Sequence, residues 1–155
     1  MTQLRDLLHD FERRWPIDTS ETWDRSGLIL GELSSKVSRV LLSVDLTQQV
    51  ISDAIEGGFD LVVTHHPILI RDFDSLVADQ AKSHLLAMAS SGGVSLYAAH
   101  TNADITANGV CATLASVTGL ETSTALEPSG SEEGHGRVGQ LPQPMPLLDF
   151  VRRLA

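Results

Sequence analysis

Asp60-Leu61-Val62-Val63-Thr64-His65-His66-Pro67 is an apolar, β-branched run that ends in two imidazoles and a proline. A continuous run of this kind suits a strand buried on both faces, and the Pro67 ring, which has no N–H for a ladder, stops it. His65 and His66 are therefore expected at the carboxyl end of a strand. The same pattern occurs on either side. Ser38-Arg39-Val40-Leu41-Leu42-Ser43-Val44-Asp45 reads as a buried parallel strand closing on Asp45, and Val94 to His100 as a third strand running into Thr101-Asn102-Ala103-Asp104. Between them the period changes to that of a helix. Val50, Ile51, Ala54 and Ile55 are stopped by Gly57-Gly58, and Leu85, Leu86, Met88 and Ala89 by Gly92-Gly93. A last helix runs through Val110, Leu114 and Val117. Strands alternating with helices in this way imply right-handed crossovers. The expected fold is α/β, a mainly parallel sheet with helices on both faces in the order β-α-β-α-β-α.

Toward the amino terminus, Leu4, Leu7, Leu8 and Phe11 are spaced for an amphipathic helix that Pro16 ends. Trp23-Asp24-Arg25-Ser26-Gly27-Leu28 reads as a loop leading into Ile29 and Leu30, and Ile68 to Ala78 as a mixed loop. Toward the carboxyl terminus, residues 121–140 are rich in Ser, Gly, Glu and Pro and read as a loop or linker. The expected organisation is an α/β metal-binding domain over 1–120, that linker, and over 141–155 the start of a second half. There Leu147, Phe150, Val151 and Leu154 begin an amphipathic helix that stops without a cap, as though truncated.

Composition narrows the function. Eleven Lys and Arg against twenty Asp and Glu give a net charge of −9, which repels phosphate backbones and anionic lipid, so nucleic acid and membrane are not expected partners. The lone Cys111 allows no internal disulfide and no thiolate cluster, and its apolar neighbours make it a packing residue, which fits a reducing compartment. Charges are scattered through the first fifteen residues, and no apolar run approaches the roughly 18 to 20 residues that span a bilayer. A cytoplasmic location is expected.

The three strands bring polar residues to one edge, where the loops of a parallel sheet converge on a ligand crevice. Asp45, His65, His66, His100 and Asp104 gather there, while the strand interiors are almost wholly aliphatic. Imidazoles with a carboxylate suit Zn, Mn, Fe, Co or Ni and suit Ca poorly. Adjacent side chains on an extended strand point apart, so His65 and His66 converge only if the backbone before Pro67 is irregular; otherwise each meets a different ion. Two divalent ions about 3.5 to 4 Å apart, bridged by Asp104, would use both imidazoles, and acidified water then gives hydrolytic chemistry without a Ser or Cys nucleophile. Plainer readings stand beside this one. The histidine pair can bond to backbone groups at a strand end, His100 to Asp104 can be an ordinary helix start, and Asp45 is expected to cap the following helix in competition with Thr47. His9, His84 and His135 have no ligand partner nearby in sequence and are expected to be solvated.

Taken together, Trp23 to Leu28, Thr64-His65-His66-Pro67, Ala99 to Asp104 and Gly136-Arg137-Val138-Gly139 resemble the Nif-three-like family, the GTP cyclohydrolase I type 2 homologues, over essentially the whole chain. The resemblance implies a dinuclear metal centre with His65, His66 and Asp104 as ligands. It places His100 close to the ions as a supporting or proton-carrying group, with Asp24 and Asn102 as candidate substrate contacts. It also implies a ring-shaped homohexamer, and further ligands, a histidine and a glutamate, in a C-terminal half that these residues do not include. Arg25 and Cys111-Ala112 depart from the family pattern at positions that bear on substrate. The implied function is a metal-dependent hydrolase acting on a nucleotide or small phosphorylated compound. The alternative is a non-enzymatic metal-binding or regulatory scaffold. An Asp-His-His phosphoesterase ranks last, because Thr64 stands where that motif needs its aspartate.

Overall fold

The computed structural model describes residues 2–70, 81–130 and 133–154. They fall into two compact units, Met1–Asn102 and Ala103–Ala155. In chain order the first unit contains β1 (Thr2–Gln3), α1 (Leu4–Arg14), β2 (Gly27–Leu30), β3 (Lys36–Val37), β4 (Val40–Ser43), α2 (Gln48–Glu56), β5 (Leu61–Thr64), α3 (Ala81–Ser91) and β6 (Ser95–Ala98). A five-residue helix, α4 (Thr101–Ile105), crosses the boundary between the units. Of the mixed loop expected over Ile68 to Ala78, all but the first three residues lie outside the described residues.

The main sheet has the order β2-β6-β5-β4, with β4, β5 and β6 parallel and β2 antiparallel to β6. Both parallel connections run through a helix, as the alternating periods predict. Side chains alternate across each strand, so β6 packs in two directions. Leu96 joins Ile51, Ala54, Val62, Ala89 and Val94 in the core under α2 and α3. Tyr97 points the other way and meets Phe11 of α1, with ring centroids 4.9 Å apart. Helices thus cover both faces. Gly58 and Gly93 end α2 and α3 at φ of 65° and 71°, a backbone conformation that costs a side-chain-bearing residue energy.

Two expectations change. The stretch read as a loop before Ile29 ends in a strand: β2 begins at Gly27 and forms the antiparallel edge of the sheet. β4, read as buried, lies at the opposite edge with one strand neighbour, and Leu42 and Val44 are 74% and 59% exposed. An aliphatic run specifies a strand but does not place it within the sheet.

The second unit holds α5 (Val110–Thr118), β7 (Glu121–Thr124), β8 (Glu127–Pro128), β9 (Gly134–His135), β10 (Val138–Gln140) and α6 (Leu147–Leu154). The stretch 121–140, read as a loop or linker, therefore carries four short strands, paired β7 with β10 and β8 with β9. Its Gly and Pro content describes the turns between strands too short to show a period. Cys111 is half-buried on α5 with its thiol free. Among the described residues no helix is long and apolar enough to cross a membrane.

Candidate metal centre

β5 ends at Thr64, so His65 and His66 lie just past the regular strand. Their amides still follow the neighbouring strand, donating to the carbonyls of Ser43 and Val44 at 3.1 and 2.9 Å. The Thr64 hydroxyl donates to the His66 carbonyl at 3.0 Å and holds the bend. That irregularity allows two adjacent side chains to converge, and the two rings lie 5.0 Å apart between centroids. His100, just beyond β6, completes the group: its ring centroid is 5.1 Å from that of His65 and 5.6 Å from that of His66. One candidate ligand atom from each of the three lies within 4.8 Å of the other two.

Each ring is fixed through the same nitrogen. His65 Nδ1 meets the Ala99 carbonyl at 3.0 Å, His66 Nδ1 the Asp45 carboxylate at 2.7 Å, and His100 Nδ1 the Asp24 carboxylate at 2.9 Å. A carbonyl or carboxylate oxygen can only accept, so Nδ1 donates in all three rings, and in the neutral imidazole this leaves the lone pair on Nε2. Histidine ligands are oriented by this kind of support, and carboxylate partners raise the basicity of the ligating nitrogen. The donor set fits a borderline divalent transition-metal ion.

The two carboxylates differ in setting. Asp45 is 64% exposed, and Thr47, not Asp45, caps α2 by accepting from the Val50 amide at 3.2 Å. The side chain of Asp24 has no exposed surface. Burial pushes its pKa up, but hydrogen bonds from Thr101, His100, Ser26 and the Arg25 amide outweigh burial and hold the carboxyl well below the usual range. Asp24 thus favours its ionised form behind His100. The Arg25 guanidinium folds back on the Asp24 carbonyl at 2.8 Å.

His65, His66 and His100 are brought together as the sequence indicates, with His100 level with the pair. Asp24 and Asn102, read as substrate contacts, both make hydrogen bonds within the protein. Asn102 is fully buried, accepts from the His100 amide at 3.1 Å and donates to the Trp15 carbonyl at 2.8 Å, so its amide shapes the loop from inside. Asp104 lies on α4 in the second unit. The supporting role of Asp45 escaped the sequence reading, although register held the signal: Ser43 pairs with Thr64, which sets Asp45 level with His66 two residues on. His66, His100 and Asp45 line a cleft of about 630 Å³.

Comparison with known proteins places the chain in a family. The chain is 33% identical over 159 residues to a protein named GTP cyclohydrolase 1 type 2 homolog from Streptomyces coelicolor, covering 100% of this chain and 56% of that protein. A protein of the same name from Clostridium perfringens is 31% identical over 96% of this chain and 58% of its own length. The chain therefore spans a little over half the length of these two relatives. Among solved structures, Staphylococcus aureus hypothetical protein SA1388 matches with a TM-score of 0.89 at 25% identity, over 98% of this chain and 63% of that one. Reduced HcgD from Methanocaldococcus jannaschii matches with a TM-score of 0.84 at 27% identity, over 98% and 58%. The sequence model of the Duf34/NIF3 (NGG1p interacting factor 3) family matches residues 2–155, and the chain belongs to that family.

Proposed function

We propose that this chain provides one side of a dinuclear metal centre in a metal-dependent hydrolase acting on a nucleotide or small phosphorylated substrate. The observation that supports it most is the convergence of the His65, His66 and His100 rings, each engaged through Nδ1, which leaves Nε2 of each neutral ring to serve as a ligand. These residues would hold a divalent ion such as Zn, Mn, Fe, Co or Ni, and Asp104 is kept as a further ligand on the family resemblance. Bound ions supply Lewis acidity, which acidifies water and stabilises developing negative charge. The protein supplies orientation. Asp24, held ionised, strengthens His100 Nε2 as a base, which suits ligation and proton transfer alike. Asp45 and the Ala99 carbonyl hold the other two rings. A homohexamer in the cytoplasm completes the reading; six chains per particle by light scattering support that assembly, and a monomer contradicts it.

The test is turnover of a panel of nucleoside phosphates by chelator-treated protein with and without added Zn²⁺ or Mn²⁺. GTP belongs in the panel because the relatives' name points to it. Product that appears only with added ions supports the hydrolase. Full metal occupancy with no turnover favours the second reading, a non-enzymatic metal-binding or interaction scaffold, for which the family's description as an interacting factor speaks.

A further inference from the structure

At the edge of the sheet away from the imidazoles, a cavity of about 340 Å³ lies between the end of β2 and the turn from α3 into β6. Its polar side chains are Glu32, Ser35, Ser90 and Ser95. Ser95 opens β6 and His100 follows that strand, so about 16 Å of extended chain separates the cavity from the rings. The eleven residues of α3, about 16 Å of helix, separate it from Ala81. Ser95 is 5% exposed, yet its hydroxyl has no hydrogen-bond partner among the described residues. It is not one of the hydroxyls sealed from all access, which are those of Ser20 and Tyr97, so it reaches the cavity. Gly31 keeps it clear: a Cβ there would stand 2.7 Å from Ser95 Oγ, and a φ of 145° disfavours any side chain. Taking a hydroxyl out of bulk water without a partner is unfavourable, so Ser95 is placed for what enters the cavity.

We propose that this cavity binds a small polyhydroxylated amine, with the ammonium on the Glu32 carboxylate and the hydroxyls on Ser90 and Ser95. The donor set selects the class. Glu32 is the one charged residue of the described lining, so a cation is favoured and a phosphate or carboxylate is repelled, as the net charge of −9 also dictates. That lining holds no aromatic ring to stack a planar heterocycle and no cationic side chain to capture an anion. Serine hydroxyls both donate and accept, which matches ligand hydroxyls, and a carboxylate accepts from an ammonium through stronger, charge-assisted bonds. The volume falls toward the small end of ligand sites, which suits a single sugar-sized molecule. The cavity shares no described lining residue with the cleft at the imidazoles, so the proposal stands apart from the hydrolase reading.

Glucosamine, glucose and cyclohexylamine share a six-membered ring and separate the two features, hydroxyls and ammonium. Each is titrated by ligand-observed NMR, at a pH where the amines are protonated, into the full chain and into Glu32→Gln, Ser95→Ala and His65→Ala/His66→Ala/His100→Ala. Glucosamine is expected to bind the wild type tightest and to weaken about tenfold in Glu32→Gln and about fivefold in Ser95→Ala. Glucose should weaken only in Ser95→Ala and cyclohexylamine only in Glu32→Gln, while the imidazole variant binds all three like the wild type. Three results overturn the proposal: no glucosamine binding by the wild type, which leaves water alone in the cavity; glucose bound as tightly as glucosamine; or glucosamine binding lost in the imidazole variant. Glu32 is exposed, so Glu32→Gln keeps the fold even if Ser95→Ala does not, and unchanged glucosamine affinity in Glu32→Gln overturns the proposal by itself.

Discussion

Asp24 and His100, 76 positions apart in the chain, meet at 2.9 Å through a carboxylate with no exposed surface and a ring that is 12% exposed. The loop before β2 and the end of β6 are thus joined at the imidazole-bearing edge of the sheet. Asp24→Asn keeps the shape and removes the charge. It should weaken transition-metal affinity by about 10- to 100-fold, the usual cost of losing a group that orients a ligating histidine. Competition against a chromophoric chelator reads this directly, and unchanged affinity would mean that Asp24 does not support a ligand.

Asp45 supports His66 in the same way but is 64% exposed, so water can replace it. Asp45→Ala should therefore weaken metal binding less than Asp24→Asn, by about tenfold or under. Because Thr47 caps α2, Asp45→Ala should leave the melting temperature almost unchanged, while Thr47→Ala costs about 1 kcal/mol by denaturant titration.

The edge position of β4 has its own signature. Leu96 is 2% exposed under α2 and α3, and Leu96→Ala should cost about 2 to 5 kcal/mol through lost burial and the cavity left behind. Leu42 is 74% exposed, so Leu42→Ser should stay within about 0.5 kcal/mol of the wild type. Comparable losses in the two variants would show that β4 is covered in solution.

Tyr97 predicts sensitivity to base. It is 2% exposed, and its hydroxyl has no hydrogen-bond partner among the described residues. Burial first, and then the charge of Glu12, push its pKa up to about 12; the Asn102 amide, nearby but outside hydrogen-bonding geometry, opposes them least. An unfolded tyrosine ionises near pH 10. Below that value both states keep the proton and stability is intact, whereas above it the unfolded chain loses its proton first and stability falls as pH rises toward 12. Tyr97→Phe should remove this part of the alkaline limb and change stability at neutral pH by no more than about 1 kcal/mol.

The sheet's three parallel strands and their helices were legible because long aliphatic runs and helical spacing specify element type. The edges of the sheet were not. β2 is four residues behind a polar loop, and nothing local marks β4 as having one neighbour. Residues 121–140 form strands of two to four residues, too short for alternation to show. At the site, residue type and strand ends gave His65, His66 and His100, whereas the roles of Asp24, Asp45 and Asn102 depend on which groups meet across 21 to 87 positions. Such long-range pairings leave little trace in a single sequence.

Metal content per chain decides whether the three imidazoles hold ions. Elemental analysis of protein purified without chelators should give about one to two transition-metal ions per chain. The content should fall to near zero in His65→Ala/His66→Ala/His100→Ala, whose circular dichroism should match the wild type. Wild-type protein free of metal, or a triple variant that retains its full content, would contradict the assignment.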